Sequence, residues 1–203
     1  IIHFALAELL YFDGQYLRAT REYEVVLDTG EYEINGINLF SRMADCSLQS
    51  GNYTDSIGLF DEISEDEMNS EDYFKKAIAY EKNDLTQEAI KIMKTLLSKD
   101  PDFIQGYFYL QSLYENEKNY PDAIETGKEG LRLNQFYKEL MVSTGSLEIE
   151  HGDANEGVEL LKKALEVDNA YHEPLLILSD LFRQEEDYEA IISLLSYVDE
   201  EDL

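Results

Sequence analysis

Apolar residues return every three or four positions along this chain, in blocks of about 12 to 14 residues, which is the spacing of one buried stripe on an α-helix. The opening run IIHFALAELLYF shows it, as do REYEVVL (21–27), AIKIMKTLL (89–97) and GVELLKKAL (157–165). Short polar breaks separate the blocks and carry turn residues: Asp13-Gly14, Gly51-Asn52, Asn83-Asp84, Asn119 followed by Pro121, and Gly152-Asp153. Proline fits a helix only in its first turn, which is where the pattern puts Pro121 and Pro174, while Pro101 ends a helix after Asp100.

The blocks repeat. Segments 83–101, 119–134, 152–169 and 186–199 share one layout, and their anchor residues Ala89, Ala123, Gly157 and Ile191 lie 34 apart. Upstream, the layout recurs around Ala19 and Ser56, with spacings of 37 and 33. The longer first interval is assigned to a linker, residues 31–36. A fixed period of this length marks stacked supersecondary units, each of which buries its apolar face only against its neighbours.

Two columns of the repeat are small. One, in the first helix of each unit, holds Ala7, Ala44, Ala77, Gln111, Gly145 and Ser179; the other, in the second helix, holds Ala19, Ser56, Ala89, Ala123, Gly157 and Ile191. Ten of the twelve are small, which helices need where they cross closely. Gln111 and Ile191 depart. Gly127 and Gly130 stand in the same unit as Gln111 on a face that elsewhere carries larger residues, so an exchange of volume is expected there. The alternative is a weak helix, since each glycine costs about 1 kcal/mol relative to alanine. Leu6, Met43, Leu110 and Leu178 in first helices, and Tyr23, Phe60, Met93, Leu161 and Leu195 in second ones, are expected core. Cys46 shares a column with Leu9, Ala79, Leu113, Leu147 and Leu181 and reads as a buried small hydrophobe.

On these columns the chain resembles the tetratricopeptide repeat family over its full length. The resemblance implies an all-α fold, a right-handed α-solenoid of about six helix-turn-helix units in a single domain (1–203), with units near 1–33, 37–69, 70–103, 104–137, 138–171 and 172–203. A narrower resemblance, carried by the run EGLRLNQFYKEL (129–140) and the order of regular and degenerate units, is to the long multi-repeat cytoplasmic proteins of the YpiA type from Gram-positive bacteria. It implies a fragment of a longer cytoplasmic chain. The first residue, Ile1, already lies in a helical pattern, which fits an excised piece.

Composition narrows the chemistry. Asp and Glu number 44 against 16 Lys and Arg, a net charge of -28, so a nucleic-acid partner is not expected. No stretch is apolar enough to span a bilayer. One cysteine and three scattered histidines (His3, His151, His172) offer neither a disulfide nor a metal set, and no cofactor or metal is expected. Nucleotide, zinc-protease and nucleophile-elbow motifs are absent. Asp153-Ala154-Asn155-Glu156-Gly157 only begins like a calcium loop, with its glycine one place early. The reading is not an enzyme. Two stretches, 61–72 and 185–202, carry seven and eight acids and no base, and read as solvated faces or as docking surfaces for a basic partner.

In families of this type partners occupy the groove lined by the first helices. The groove positions implied by that register give the candidate partner-binding residues Phe4, Tyr11, Arg42, Phe74, Lys75, Ile78, Phe108, Tyr109, Val142, Ile149, Leu176 and Arg183. One of their columns (Phe4, Ser41, Phe74, Phe108, Val142, Leu176) is five-sixths apolar on a face expected to meet water, the mark of an interaction site unless neighbouring helices bury it. The 36 groove positions carry nine acids and four bases, the same charge per residue as the whole chain. The Lys and Asn set with which one subfamily grips a terminal carboxylate is missing. The expected function is a non-catalytic protein- or peptide-binding scaffold. A receptor module for a signalling peptide and a substrate-recruiting region of an enzyme remain as alternatives, each with its effector or catalytic domain elsewhere. End-to-end self-association of the fragment is also expected, through Ile1 and Leu203 near repeat borders.

Overall fold

Every amphipathic block becomes a helix in a computed structural model of the chain, which describes residues 2–197. In the first half these are α1 (Ile2–Phe12), α2 (Tyr16–Leu27), α3 (Leu39–Gln49), α4 (Tyr53–Asp61), α5 (Ser70–Lys82) and α6 (Thr86–Lys99). The second half holds α7 (Ile104–Asn116), α8 (Tyr120–Leu133), α9 (Lys138–His151), α10 (Ala154–Val167), α11 (Glu173–Gln184) and α12 (Tyr188–Leu194), followed by a 3-10 turn, Leu195–Tyr197. Odd-numbered helices are the first of each pair and even-numbered ones the second. The chain divides into two compact units, residues 1–101 and 102–203, each of three pairs. Within each unit consecutive helices pack on one another, and first helices also touch, α3 on α5 and α9 on α11. No helix among the described residues is long and apolar enough to cross a membrane.

The turn inside five of the six pairs is closed by one device. A residue in the left-handed region follows the first helix at Gly14 (φ 75°), Gly51 (79°), Asp84 (60°), Lys118 (58°) and Glu186 (59°). Its N–H donates to the carbonyl three residues back, and the next N–H reaches five back: Gln15 to Leu10, Asn52 to Ser47, Leu85 to Tyr80, Asn119 to Tyr114 and Asp187 to Phe182. This double closure satisfies carbonyls that the helix end leaves bare. Glycine takes that conformation without penalty, whereas a side chain is strained there. Lys118→Gly is therefore expected to raise stability by about 1 kcal/mol, read as a higher urea midpoint at unchanged slope. The fifth turn differs. Gly152 has φ -134°, and a Cβ on it would run into the carboxylate of Glu148, which is buried and accepts the Asp153 N–H at 2.6 Å.

Residues 31–38 correct one expectation. They form not a bare linker but a two-stranded antiparallel hairpin, β1 (Glu33–Ile34) and β2 (Ile37–Asn38), with Ile34 opposite Ile37. Asn35 (φ 54°) and Gly36 (φ 76°) make its two-residue turn, the dihedral signs of the type that matches strand twist. Ile34 and Ile37 pack on the first unit's core of Phe4, Leu10, Tyr23, Leu39 and Met43. The Asn38 side chain then caps α3 by accepting the Phe40 and Ser41 N–H groups.

The small columns mark the crossings. Ala7, Ala44, Ala77, Ala19, Ser56, Ala89 and Ala123 are buried. Ser56 Oγ donates to the Ala44 carbonyl at 2.8 Å, so the two columns face each other across α3 and α4. Between α9 and α10 the backbones come close: a Cβ on Gly157 would stand 2.5 Å from the Gly145 carbonyl oxygen. The expected exchange of volume is present in the fourth pair. Gln111 is wholly buried and donates to Thr144 Oγ at 3.1 Å. Both side chains occupy the space a Cβ on Gly127 would need, and Leu140 and Tyr107 fill that beside Gly130. Ser179 and Ile191, in the last pair, are only half-buried.

One core assignment, Leu6, needs correction, and Leu9, in the column of Cys46, is exposed with it. Leu6 and Leu9 are 38% and 67% exposed, although their column mates Met43 and Cys46 are buried. In α3 that face packs on the preceding helix α2, and among the described residues no helix precedes α1. The side chain of Leu195 lies outside what the structure describes, as do Ile1, Leu203 and the acids after residue 197.

Candidate docking groove

The period places residues 34 apart side by side on neighbouring first helices, and in the first unit such pairs are bonded. Glu8 on α1 meets Arg42 on α3, with Nε to Oε1 at 3.2 Å, and also accepts the Tyr23 hydroxyl. Tyr11 on α1 donates to Asp45 on α3, which is buried and ion-paired with Lys75 on α5 at 2.8 Å. The Arg42 guanidinium lies over the Tyr11 ring, 4.5 Å from its centre, a cation–π contact. Ser41 donates to Asp72, which shares a capping box with Asn69 at the start of α5. Burial opposes ionisation of Asp45, but hydrogen bonds from Lys75 and Tyr11, with the Lys75 charge, outweigh it and hold the carboxyl below its ordinary range. Burial is also the main reason the Tyr11 and Tyr23 phenols are pushed far up, with the carboxylates they donate to adding to it.

Three sequence-selected residues, Tyr11, Arg42 and Lys75, are thus brought together, but each is engaged within the protein. Phe4 is corrected: at 8% exposure it is a core residue, its ring 6.4 Å from that of Tyr23, because α2 covers that side of α1. Phe74 and Ile78 are half-buried and line a hollow of about 370 Å³ with Leu48, Tyr53 and Lys75. The Cys46 thiol is buried and pushed up to about 11, chiefly by that burial, as suits a packing residue.

The second unit has a different groove. Phe108 on α7, Val142, Ser143, Ser146 and Leu147 on α9, and Tyr171 before α11 line a cavity of about 330 Å³, with Glu115, Glu139, Glu150 and Glu173 around it. Val142, expected exposed, is 4% accessible because it also belongs to the core formed with Leu161, Leu178 and Phe182. The Phe108 ring packs at 5.9 Å on Tyr137. The Tyr171 hydroxyl donates to Glu173 at 2.7 Å, and burial, then that carboxylate, pushes its phenol up to about 12. Lys138 lies over the Tyr171 ring at 4.9 Å and is ion-paired with Asp168. Tyr109 is half-buried on α7. Ile149 is corrected: it packs into the core against α10, where its side chain fills the space beside Gly157. Leu176 is 66% exposed on α11, and Arg183 is exposed and paired with Asp180 at 2.7 Å.

A third hollow, of about 740 Å³, lies on the second helices of the same unit, between Leu131, Phe136, Met141, Leu160 and Val167. Groove positions taken from first helices could not include it. Its sequence signal is Phe136, an apolar residue in the short break between α8 and α9. Asp153 caps α10 by accepting the Asn155 and Glu156 N–H groups, in keeping with the rejection of a calcium loop there.

Comparison with known proteins agrees with this architecture. The family described as YpiA-like, tetratricopeptide repeats matches residues 1–31. Over 198 residues, 98% of this chain, the sequence is 31% identical to the TPR repeat-containing protein YpiA of Bacillus subtilis (strain 168) and covers 47% of it. The chain thus spans about half the length of that curated relative. Among solved structures, the C-terminal part of a TPR repeat-containing protein from Cytophaga hutchinsonii superposes with a TM-score of 0.75 at 16% identity, over 95% of this chain and 79% of that one. YrrB, described as a TPR protein with an unusual peptide-binding site, gives 0.67 at 13% identity, over 87% and 90%. At such identities the likeness is one of fold, a helical repeat solenoid. With its 34-residue period, its small crossing columns and this fold, the chain is a helical solenoid of tetratricopeptide-type repeats, similar in sequence to YpiA.

Proposed function

We propose that the chain is a non-catalytic scaffold that docks a peptide or protein segment against the face of its first helices, in a cytoplasmic setting as its resemblance to multi-repeat proteins implies. The observation that carries this reading is the second-unit groove, where Phe108, Val142 and Tyr171 form an apolar floor within a polar rim. Such a floor gives a partner side chain a site to desolvate, and the rim fixes its direction. YrrB, of the same fold, is described as having a peptide-binding site, which supports the reading. A hollow beside Phe74 and Ile78 is a separate candidate surface within the first unit.

Aromatic anchors in such grooves typically contribute about 2 kcal/mol or more. Clones selected from a random-peptide phage library on the intact protein should therefore bind Phe108→Ala protein about tenfold or more weakly, while Phe136→Ala, in the outer hollow, leaves them unchanged. Equal binding to the Phe108→Ala protein, with its helical circular dichroism intact, would refute the groove.

A further inference from the structure

The charge of the first-helix face is not spread evenly. In the first unit its groove positions hold four acids, Glu8, Asp45, Glu71 and Glu81, and three bases, Arg42, Lys75 and Lys82. All four acids have a cation: Glu8 has Arg42, Asp45 and Glu71 share Lys75 at 2.8 and 3.5 Å, and Glu81 has Lys82 at 3.1 Å. In the second unit the same positions hold five acids, Glu115, Glu139, Glu150, Glu173 and Asp180, and one base, Arg183, which pairs with Asp180. The four glutamates left over are those around the Phe108–Val142–Tyr171 cavity. Among the described residues no lysine or arginine is ion-paired with any of them; the His151 imidazole lies 3.6 Å from Glu150, and the Lys138 charge acts on Glu139 from beyond ion-pair distance. Lys138, the other base nearby, is engaged by Asp168 and the Tyr171 ring.

An apolar floor ringed by carboxylates that no lysine or arginine pairs with is complementary to a side chain that is apolar along its stem and cationic at its tip. Resting on the reading of this face as a docking surface, we infer that the second-unit groove takes a basic peptide segment, whose lysine or arginine stems lie along Phe108, Val142 and Tyr171 while their charged ends meet Glu115, Glu139, Glu150 and Glu173. The first unit, neutralised from within, contributes no such selectivity. Averaged over all groove positions, the two halves cancel into the mean charge of the protein and the difference disappears.

The test uses short labelled peptides whose binding is read by fluorescence anisotropy: one of leucine, lysine and glycine; one with glutamate in place of lysine; one with serine in place of lysine; and one of lysine, serine and glycine. The leucine–lysine peptide is expected to bind tightest. Its affinity should fall about tenfold or more in Glu139→Gln/Glu150→Gln protein and fall with added salt. Glu129→Gln/Glu166→Gln protein loses the same charge from exposed positions on the second helices α8 and α10, and should bind as the parent does. Equal weakening by both double variants would reduce the effect to the net charge of -28 and overturn the inference. So would lysine–serine peptide binding that Phe108→Ala leaves unchanged, or a leucine–lysine peptide that does not bind. If the serine or glutamate counterpart binds equally well and loses that binding in Phe108→Ala protein, the docking face stands and the preference for cations falls.

Discussion

Gly157→Ala should destabilise the protein by about 2 kcal/mol, against the usual direction of a glycine-to-alanine change inside a helix. The added Cβ would stand 2.5 Å from the Gly145 carbonyl oxygen and 2.9 Å from the Ile149 backbone nitrogen. Both are main-chain atoms of α9, so no side chain can swing aside, and α9 and α10 must separate along their length. Gly58, in the middle of α4, has nothing within 4 Å of its Cβ position, and Gly58→Ala should stabilise by about 0.5–1 kcal/mol through chain entropy and helix propensity alone. Thermal unfolding of the two variants should move in opposite directions. A Gly157→Ala protein as stable as the parent would mean that the two columns do not set the crossing distance.

Lys75→Met is expected to cost about 3 kcal/mol, near the lower end for breaking a buried pair because Lys75 itself stays partly accessible. The cost arises from Asp45, left buried with only the Tyr11 hydroxyl and the Gln49 amide to hold its charge. Asp45→Asn in the same protein should recover a large part of the loss, which a simple packing defect at position 75 would not allow. Acid dependence gives a second readout. The folded Asp45 carboxyl is held below its unfolded value, so its contribution is fully present above the unfolded pKa, about 4, and is lost as pH falls through the folded one. Asp45→Asn should flatten the acid limb of the stability profile in that window and leave the neutral region parallel to the parent.

Much of the fold was legible because it depends on period and side-chain size. The 34-residue step reappears in the left-handed turn residues, once from Asp84 to Lys118 and twice over from Lys118 to Glu186, although none of these is glycine. Gln111 and Gly127 were visible as paired departures because an oversized residue in a close crossing needs a gap opposite it. The repeat period makes residues 31–36 look like surplus length and so hides the hairpin, yet Asn35-Gly36 between Ile34 and Ile37 is a hairpin signal in its own right. Leu6 and Leu9 follow the helical pattern as well as any core residue, and pattern alone does not reveal whether a further helix covers them.

The site was less legible. A list of groove positions states which face a side chain is on, not whether its charge is already used. Arg42 and Lys75 therefore looked like partner-binding cations although Glu8 and Asp45 hold them. The signal was available in part: Glu8 and Arg42, and Tyr11 and Asp45, are 34 residues apart, the separation at which neighbouring first helices meet. Ile149 shows the other failure, since one position around the helix separates the groove from the contact with α10.

The claim that a partner docks on the first helices is tested most directly by amide hydrogen exchange of the intact protein, with and without a saturating amount of the tightest-binding peptide described above. Slowed exchange is expected along α7 and α9 and at the start of α11, around Phe108, Val142 and Tyr171. Protection confined to α8 and α10, around Leu131, Phe136 and Leu160, would place the partner in the outer hollow and contradict the account.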